Sequence, residues 1–303
     1  MNVLVTGGAG FLGSHLVDAL VGRGDNVTVV DNLHRGTLTN LQGHLDAGRV
    51  IALPHDIRDF GSLRRSIDGA EIVFHLAAQS NVMGAIQDPD YSFTTNVVGT
   101  FNVLKAAAET GVGRVVFASS REVYGEPESI PVPETAPLAP KGLYGASKMA
   151  GEAYCRAWRE RGIECQVLRF ANIYGPRDRE RVIPLWAERA SAGEPLVIYG
   201  GKQILDFVEV DLCVRALLAA AERPISEPIN VGTGVATRLP DLARCIISLA
   251  GGRSAVEVRP AREAEVVQFV ADVTRMKELL GIESGGRSLD GLKDMLPHRS
   301  NTP

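Results

Sequence analysis

No stretch of this chain is apolar for long enough to cross a bilayer, and no basic run offers a footprint for nucleic acid. Charge of one sign is never gathered into a block. Lys and Arg number 32 against 36 Asp and Glu, a net charge of -4, so neither nucleic acid nor a membrane is expected as a partner. Cysteine is scarce. Cys155, Cys165, Cys213 and Cys245 show no Cys-x-x-Cys spacing, and the histidines do not pair with them at ligand spacing, so no metal is expected. Packed free thiols in a reducing compartment are expected instead. Met1 to Thr6 carry no charged n-region and no small-residue cleavage site; they read as a strand, and a cytoplasmic location is expected. Repeats and low-complexity segments are absent, and the closing "PHRSNTP" is expected to fray.

What is present is ordinary for a globular protein: 303 residues, 45% hydrophobic and 22% charged. That suits one large domain, or a large domain with a smaller one. Short Val/Ile-rich runs alternate with helical patterns through the first half. "NVLVT" (2–6), "NVTVVD" (26–31), "RVIALP" (49–54), "EIVFHLAA" (71–78), "RVVFAS" (114–119) and "ECQVLRFAN" (164–172) read as strands. Helices are predicted over 11–24, about 88–110 and from about 143. Continuous apolar strands separated by helices predict a parallel sheet covered on both faces, a Rossmann-type doubly wound α/β fold. After Asn172 the rhythm changes. A smaller α/β substrate domain is predicted, interleaved with the first. The boundaries are 1–171 plus about 206–232 for the dinucleotide domain, and about 172–205 plus 233–303 for the other.

"VTGGAGFLGSHL" places Gly7, Gly10 and Gly13 after a strand and at a helix start. The first glycine allows the tight turn, the second lets backbone approach a pyrophosphate, and the third lets helix and strand pack closely. Helix N-terminal amides would face the phosphates. Asp31 ends the second strand, where a carboxylate accepts hydrogen bonds from ribose hydroxyls and repels a 2′-phosphate. This argues for NAD over NADP; Arg35, which could hold a phosphate, is read as surface. Asp56, before Ile57, either meets an adenine amino group or caps the next helix. Ala77 ends the fourth strand with room for a cofactor, and His75 within that strand reads as a satisfied core histidine.

Tyr144 and Lys148 lie four residues apart, on one face of a helix. A phenol has a reference pKa near 10, and a nearby ammonium is expected to lower it. Ser120, at a strand end, can hydrogen-bond the same substrate oxygen. Together these groups can take a proton from an alcohol as NAD takes the hydride.

With these motifs the chain resembles the extended short-chain dehydrogenases/reductases, in particular the NAD-dependent nucleotide-sugar epimerase/dehydratase group. The resemblance also rests on "DNLHRG", "HLAAQSNV", "TNVVGTFNVL", "SSREVYG", "YGASK", "RFANIYGPR", "VIYGGKQILDF", "NVGTG" and Ala271-Asp272. It implies that Ser120, Tyr144 and Lys148 are catalytic. It implies NAD contacts from Gly7, Gly10, Phe11, Leu12, Gly13, Asp31, Asn32, Asp56, Ile57, Ala77, Asn96, Tyr144 and Lys148. Asn172 would meet a sugar diphosphate, UDP-linked, and Arg262 a phosphate or ribose. The expected activity is 4-epimerisation through a transient 4-keto sugar. A homodimer is implied as well, with Leu104, Ala107, Ala108, Met149, Ala153 and Trp158 as the packing surface.

Two departures from the family pattern stand out. Leu205 occupies the place of an arginine that usually holds the diphosphate, so Arg177, Lys202 or Arg262 would have to substitute. Glu122, two residues after Ser120, stands where dehydratases of the group carry a base, but Arg121 stands where they carry an acid. Arginine does not give up its proton at working pH. Dehydratase or decarboxylase chemistry through Glu122 is the alternative to epimerisation, with a dehydrogenase of another small alcohol as a further one.

Overall fold

In a computed structural model of the chain, residues 1–179, 181–262, 265–286 and 289–296 are described. The first half runs β1 (Asn2–Thr6), α1 (Phe11–Gly22), β2 (Asn26–Val30), α2 (Gln42–Asp46), β3 (Val50–Leu53), α3 (Phe60–Ile67), β4 (Ile72–His75), α4 (Val82–Gln87), α5 (Pro89–Phe93), α6 (Thr100–Thr110), β5 (Arg114–Ser120), α7 (Leu143–Arg159) and β6 (Glu164–Phe170). The second half runs β7 (Asn172–Tyr174), α8 (Val182–Ala192), β8 (Leu196–Tyr199), β9 (Ile204–Leu205), β10 (Phe207–Glu209), α9 (Val210–Glu222), β11 (Ile229–Val231), β12 (Thr237–Arg238), α10 (Leu239–Leu249), β13 (Val256–Arg259), β14 (Gln268–Phe269) and α11 (Thr274–Leu280).

Seven strands form one sheet in the order β11-β6-β5-β4-β1-β2-β3, and every pairing in it is parallel. This is the doubly wound α/β architecture that the strand composition predicts. Alternate side chains of each strand enter opposite layers. Val3, Val5, Val116, Ala118, Leu168 and Phe170 pack with α1 and α9. Leu4, Val115, Phe117, Cys165 and Val167 pack with α3, α6 and α7. Burial on both faces explains why these strands read as continuous apolar runs. The strand order reverses between β1 and β4, and the loops after both strands open a crevice there.

A third apolar cluster gathers Tyr174, Ile183, Trp186, Leu196, Ile198, Leu205, Phe207, Leu242 and Ile246 around α8 and α10. Its small sheets pair β13 with β8, and β9 with both β12 and β14. Asp206 ties this region to the main sheet. Its carboxylate accepts from the amides of Thr233, Gly234 and Ala271 and from the Thr233 hydroxyl.

Three local expectations are corrected. The single helix over about 88–110 is α5, a π-helical segment at Thr94–Gly99, and α6. Asp88 caps the first of these through Tyr91 N, at 2.9 Å, and Pro89 sits at its N1, so the helix starts anew there. The strand over 164–172 breaks at Ala171, because Asn172 leaves the main sheet to pair with Phe207. Leu104 and Ala107 are fully buried under the sheet and offer no outer surface, whereas Ala108 and Ala153 are exposed. Cys155, Cys165 and Cys213 are buried and unpaired. Among the described residues no helix is long and apolar enough to cross a membrane, and no His/Cys/Asp/Glu group could hold a metal ion. The expected fraying of 297–303 lies outside the described residues.

Candidate active site

A cavity of about 770 Å³ opens at the carboxyl ends of β1, β2, β4, β5 and β6. Its floor is the turn from β1 into α1. Gly7 has φ 73°, and a Cβ there would stand 2.7 Å from Ala77 N. A Cβ on Gly13 would stand 2.1 Å from Gly7 O. A larger residue at Gly7 would push the turn off the loop after β4, and one at Gly13 would push α1 off the turn. Helix α1 carries no capping side chain and no acidic residue in its first turn, so its amino end suits an anion. Asp31 closes the far end. Its two oxygens accept from Ala9 N (3.0 Å) and Leu33 N (2.9 Å), and burial raises its pKa against those bonds. This floor fits a dinucleotide.

The cavity brings together Gly7, Gly10, Phe11, Leu12, Gly13, Asp31, Asn32, Ile57, Ala77, Ser120, Glu122, Tyr144, Lys148, Asn172 and Arg177. Three expected contacts lie off its wall. Asp56 spends its carboxylate on Asn32 (2.9 Å) and Arg58 (2.7 Å). Despite the cost of burial, those partners hold its pKa down at about 2. It does not cap α3; Asp59 does. Asn96, in the π-helical segment, accepts from Gln79 N at 2.7 Å and donates to Gln79 O and Ser147 Oγ, so its amide is spent fastening the loop after β4 to α7. Arg262 lies over the Tyr199 ring at 3.6 Å and pairs with Glu265.

Leu205 is buried in the third apolar cluster, away from the cavity. Lys202 is also off the cavity wall, whereas Arg177, Arg179 and Arg181 line it. Arg177 pairs with Asp18 of α1 at 2.8 Å, and Arg181 pairs with Asp178 and covers the Phe11 ring. The arginine-rich "GPRDRER" was the available sequence signal for Arg179 and Arg181. Arg35 is exposed, as expected of a surface residue, and it also lines the cavity mouth, donating to Ser80 Oγ at 2.7 Å.

The reactive groups converge at the end of β5. The Tyr144 phenol stands beside Ser120, whose hydroxyl favours the phenolate, and Lys148 Nζ donates to Ala118 O at 2.8 Å. Burial pushes the Tyr144 phenol up to about 12 and the Lys148 ammonium down to about 8. The expectation of a depressed phenol is therefore reversed in the chain by itself. Desolvation disfavours the phenolate, and the ammonium, 5.9 Å from the ring centroid, is itself committed to a carbonyl. His75 is a core histidine, held between Thr6 and Thr100 at 2.8 and 2.9 Å.

Arg121 and Glu122 face the same cavity. They pair with each other at 2.9 Å, and Arg121 Nε reaches Asn172 Oδ1 at 3.2 Å. Both side chains are about nine-tenths buried.

The model of the NAD dependent epimerase/dehydratase family matches residues 3–232. A UDP-glucose 4-epimerase from Mycolicibacterium smegmatis is 36% identical over 93% of this chain and 93% of its own length. The solved UDP-glucose 4-epimerase of Thermotoga maritima, with UDP-glucose, is 37% identical over 97% of this chain and 96% of that one, with a TM-score of 0.91. A dTDP-glucose 4,6-dehydratase from Streptomyces venezuelae, solved with NAD, is 32% identical, covers 97% and 95%, and has a TM-score of 0.92.

Proposed function

We propose that this chain, which belongs to the NAD dependent epimerase/dehydratase family, is a nucleotide-sugar 4-epimerase acting on a UDP-linked sugar. The observation that carries this reading is the pairing of Glu122 with Arg121 beside an intact Ser120–Tyr144–Lys148 set. A dehydratase of this design needs a free carboxylate for the C5 proton and an acid for the departing hydroxyl. Here one carboxylate oxygen is taken by a guanidinium, and that guanidinium cannot serve as the acid.

NAD, when bound, accepts a hydride from C4 and returns it. The chain's own groups do the rest. Ser120 Oγ and Tyr144 Oη hold the C4 oxygen, and Tyr144 acts as the phenolate: having first lost its own proton, a loss that the Lys148 ammonium favours, it takes the C4 hydroxyl proton as the carbonyl forms and gives it back on reduction. Lys148 sits one helical turn away as the nearby positive charge. Arg177, Arg179 and Arg181 line the cavity where a diphosphate needs cations, in place of the missing arginine at Leu205. In this reading 1–171 plus about 206–232 bind NAD, and about 172–205 plus 233–303 bind the sugar nucleotide. Free buried thiols suit the cytoplasm.

We further propose a homodimer, built on α6 and α7. Phe101, Ala108, Tyr154, Ala157 and Trp158 line an apolar groove of about 590 Å³ between these helices. Phe93, Phe101 and Tyr154 are exposed beside it. The activity is tested by supplying UDP-glucose and UDP-galactose separately and following interconversion. Failure to convert either, or conversion to a product lighter by one water, would refute the reading.

A further inference from the structure

Helix α7 presents Tyr144, Lys148 and Glu152 at successive turns of one face. Each meets a different residue at the end of β5. Tyr144 stands beside Ser120, Lys148 Nζ donates to Ala118 O, and the Ser119 hydroxyl donates to Glu152 Oε1. The helix lies close against the strand there, since a Cβ on Gly151 would stand 2.5 Å from the Phe117 ring. Glu152 also reaches β6. Arg169 Nε donates to its Oε1 at 2.9 Å and Nη2 to its Oε2 at 2.6 Å. Arg169 in turn donates from Nη1 to the Tyr124 hydroxyl (2.8 Å) and Glu134 O (3.1 Å). Glu152 and Arg169 are both buried, and neither lines the cavity.

We propose that Glu152 is a positioning residue for Tyr144 and Lys148: it fastens α7 to β5 and β6 in the register that puts the phenol and the ammonium at Ser120, and it supplies the ammonium's counter-charge. A slip of α7 along β5 would break all three contacts together. The groups that face Lys148 are few. They are Tyr144, Glu152 and Cys155 on α7, and His75 on β4. The β5 strand adds only the Phe117 ring and the Ala118 carbonyl. His75 is held neutral by burial, with its pKa near 3, and contact with Cys165 together with burial raises the Cys155 thiol, so Glu152 is the anion of that set. Burial pulls the Lys148 ammonium down, and Cys155 and Glu152 oppose that pull; with the Cys155 thiol kept neutral, Glu152 is the one that carries a full charge.

The inference rests on the epimerase reading for its kinetic arm only. Glu152→Gln is expected to keep bound NAD, to hold KM within about twofold and to lose kcat by about 10- to 100-fold, the scale for a misplaced reacting group. In protein labelled with 13C-lysine, the Lys148 ε-carbon, assigned with Lys148→Arg, is expected to titrate at lower pH in Glu152→Gln than in wild type. Glu152→Asp, which keeps the charge, should restore most of that midpoint. Ser119→Ala deletes one contact and no charge, and should lower kcat with the midpoint unmoved. Wild-type kcat in Glu152→Gln, or an unshifted Lys148 midpoint, would overturn the proposal. If Glu152→Gln fails to fold, Ser119→Ala and Glu152→Asp decide it, and wild-type kcat in both would overturn it. The NMR arm needs no sugar, so absent interconversion by wild type would refute the epimerase reading and leave the Lys148 result standing.

Discussion

Arg121 and Glu122 are joined at 2.9 Å inside the cavity, immediately after Ser120. Adjacent residues of a 3₁₀ turn would ordinarily diverge, but here both are drawn inward and paired through Nη2, which leaves Arg121 Nη1 buried without a partner among the described residues. The pair is expected to hold substrate hydroxyls and to take no part in breaking a C–H bond at C5. Turnover in deuterated water followed by mass spectrometry of the sugar should therefore show no carbon-bound deuterium. Glu122→Gln should retain epimerisation, with a loss of no more than about tenfold from the unpaired Arg121. Deuterium at C5 or C6 that disappears in Glu122→Gln would make Glu122 a base and the protein a lyase.

Asp31 is expected to set the choice between NAD and NADP. Its carboxylate stands at the end of the cavity, with Arg35 close by along the same wall. Wild type should bind NAD more tightly than NADP. In Asp31→Ala the loss of a charged acceptor should weaken NAD by about 10- to 100-fold, since such a hydrogen bond contributes about 1.5–3 kcal/mol. NADP should weaken less or gain, because the repulsion goes and Arg35 stays. Tighter NADP binding by wild type, measured by calorimetry, would contradict this.

Much of the site was legible because its signals are local. The turn through Gly7, Gly10 and Gly13 obeys steric rules within one strand–helix unit, Asp31 ends the next strand, and Tyr144 and Lys148 are one turn apart on one helix. What was not legible depends on long-range packing. Whether Asn96 faces a cofactor or a loop depends on the π-helical segment that turns it toward Gln79 and Ser147. Asp56 is the exception, a local one: Arg58, two residues on, claims it, an encounter that its role in a motif does not reveal. Leu104 and Ala107 read as surplus apolar residues, because the helical period does not show how far α3 and the sheet wrap around α6.

His75 makes the fold acid-sensitive. In the folded chain its pKa is held near 3 by burial and, secondarily, by the Lys148 charge, against 6.5 for an ordinary histidine. The unfolded chain therefore binds a proton below about pH 6.5 that the folded chain refuses until about pH 3. Stability is full above that window and falls as pH drops through it, by an amount on the order of 4 kcal/mol. Asp56 acts lower, because its folded pKa of about 2 makes its contribution fade only as pH falls below the ordinary carboxylate value. Urea unfolding between pH 7.5 and 4 should show the slope, and His75→Gln should flatten it. Equal slopes in the two proteins would remove His75 as the cause.

The groove between α6 and α7 yields the last prediction. Phe101 meets Tyr154 edge-on with ring centroids 5.4 Å apart, and Trp158 lies 6.3 Å from the same ring. Arg161 covers the outer face of Trp158 at 5.3 Å, and Lys105 and Glu109 rim the groove. An apolar centre with a charged rim is the make-up of a protein interface. Two such helix pairs brought together by a two-fold axis would bury Phe101, Tyr154 and Trp158 of each protomer against their counterparts. The protein should run as a dimer by light scattering at micromolar concentration. Phe101→Glu or Trp158→Glu places a charge at the centre of the patch on both copies. Either substitution should give a monomer, and Phe101→Glu should leave far-UV circular dichroism unchanged because Phe101 is exposed, whereas Trp158 packs partly against the core and its variant is read beside it. A wild-type monomer, or a dimer that survives both substitutions, would exclude this face.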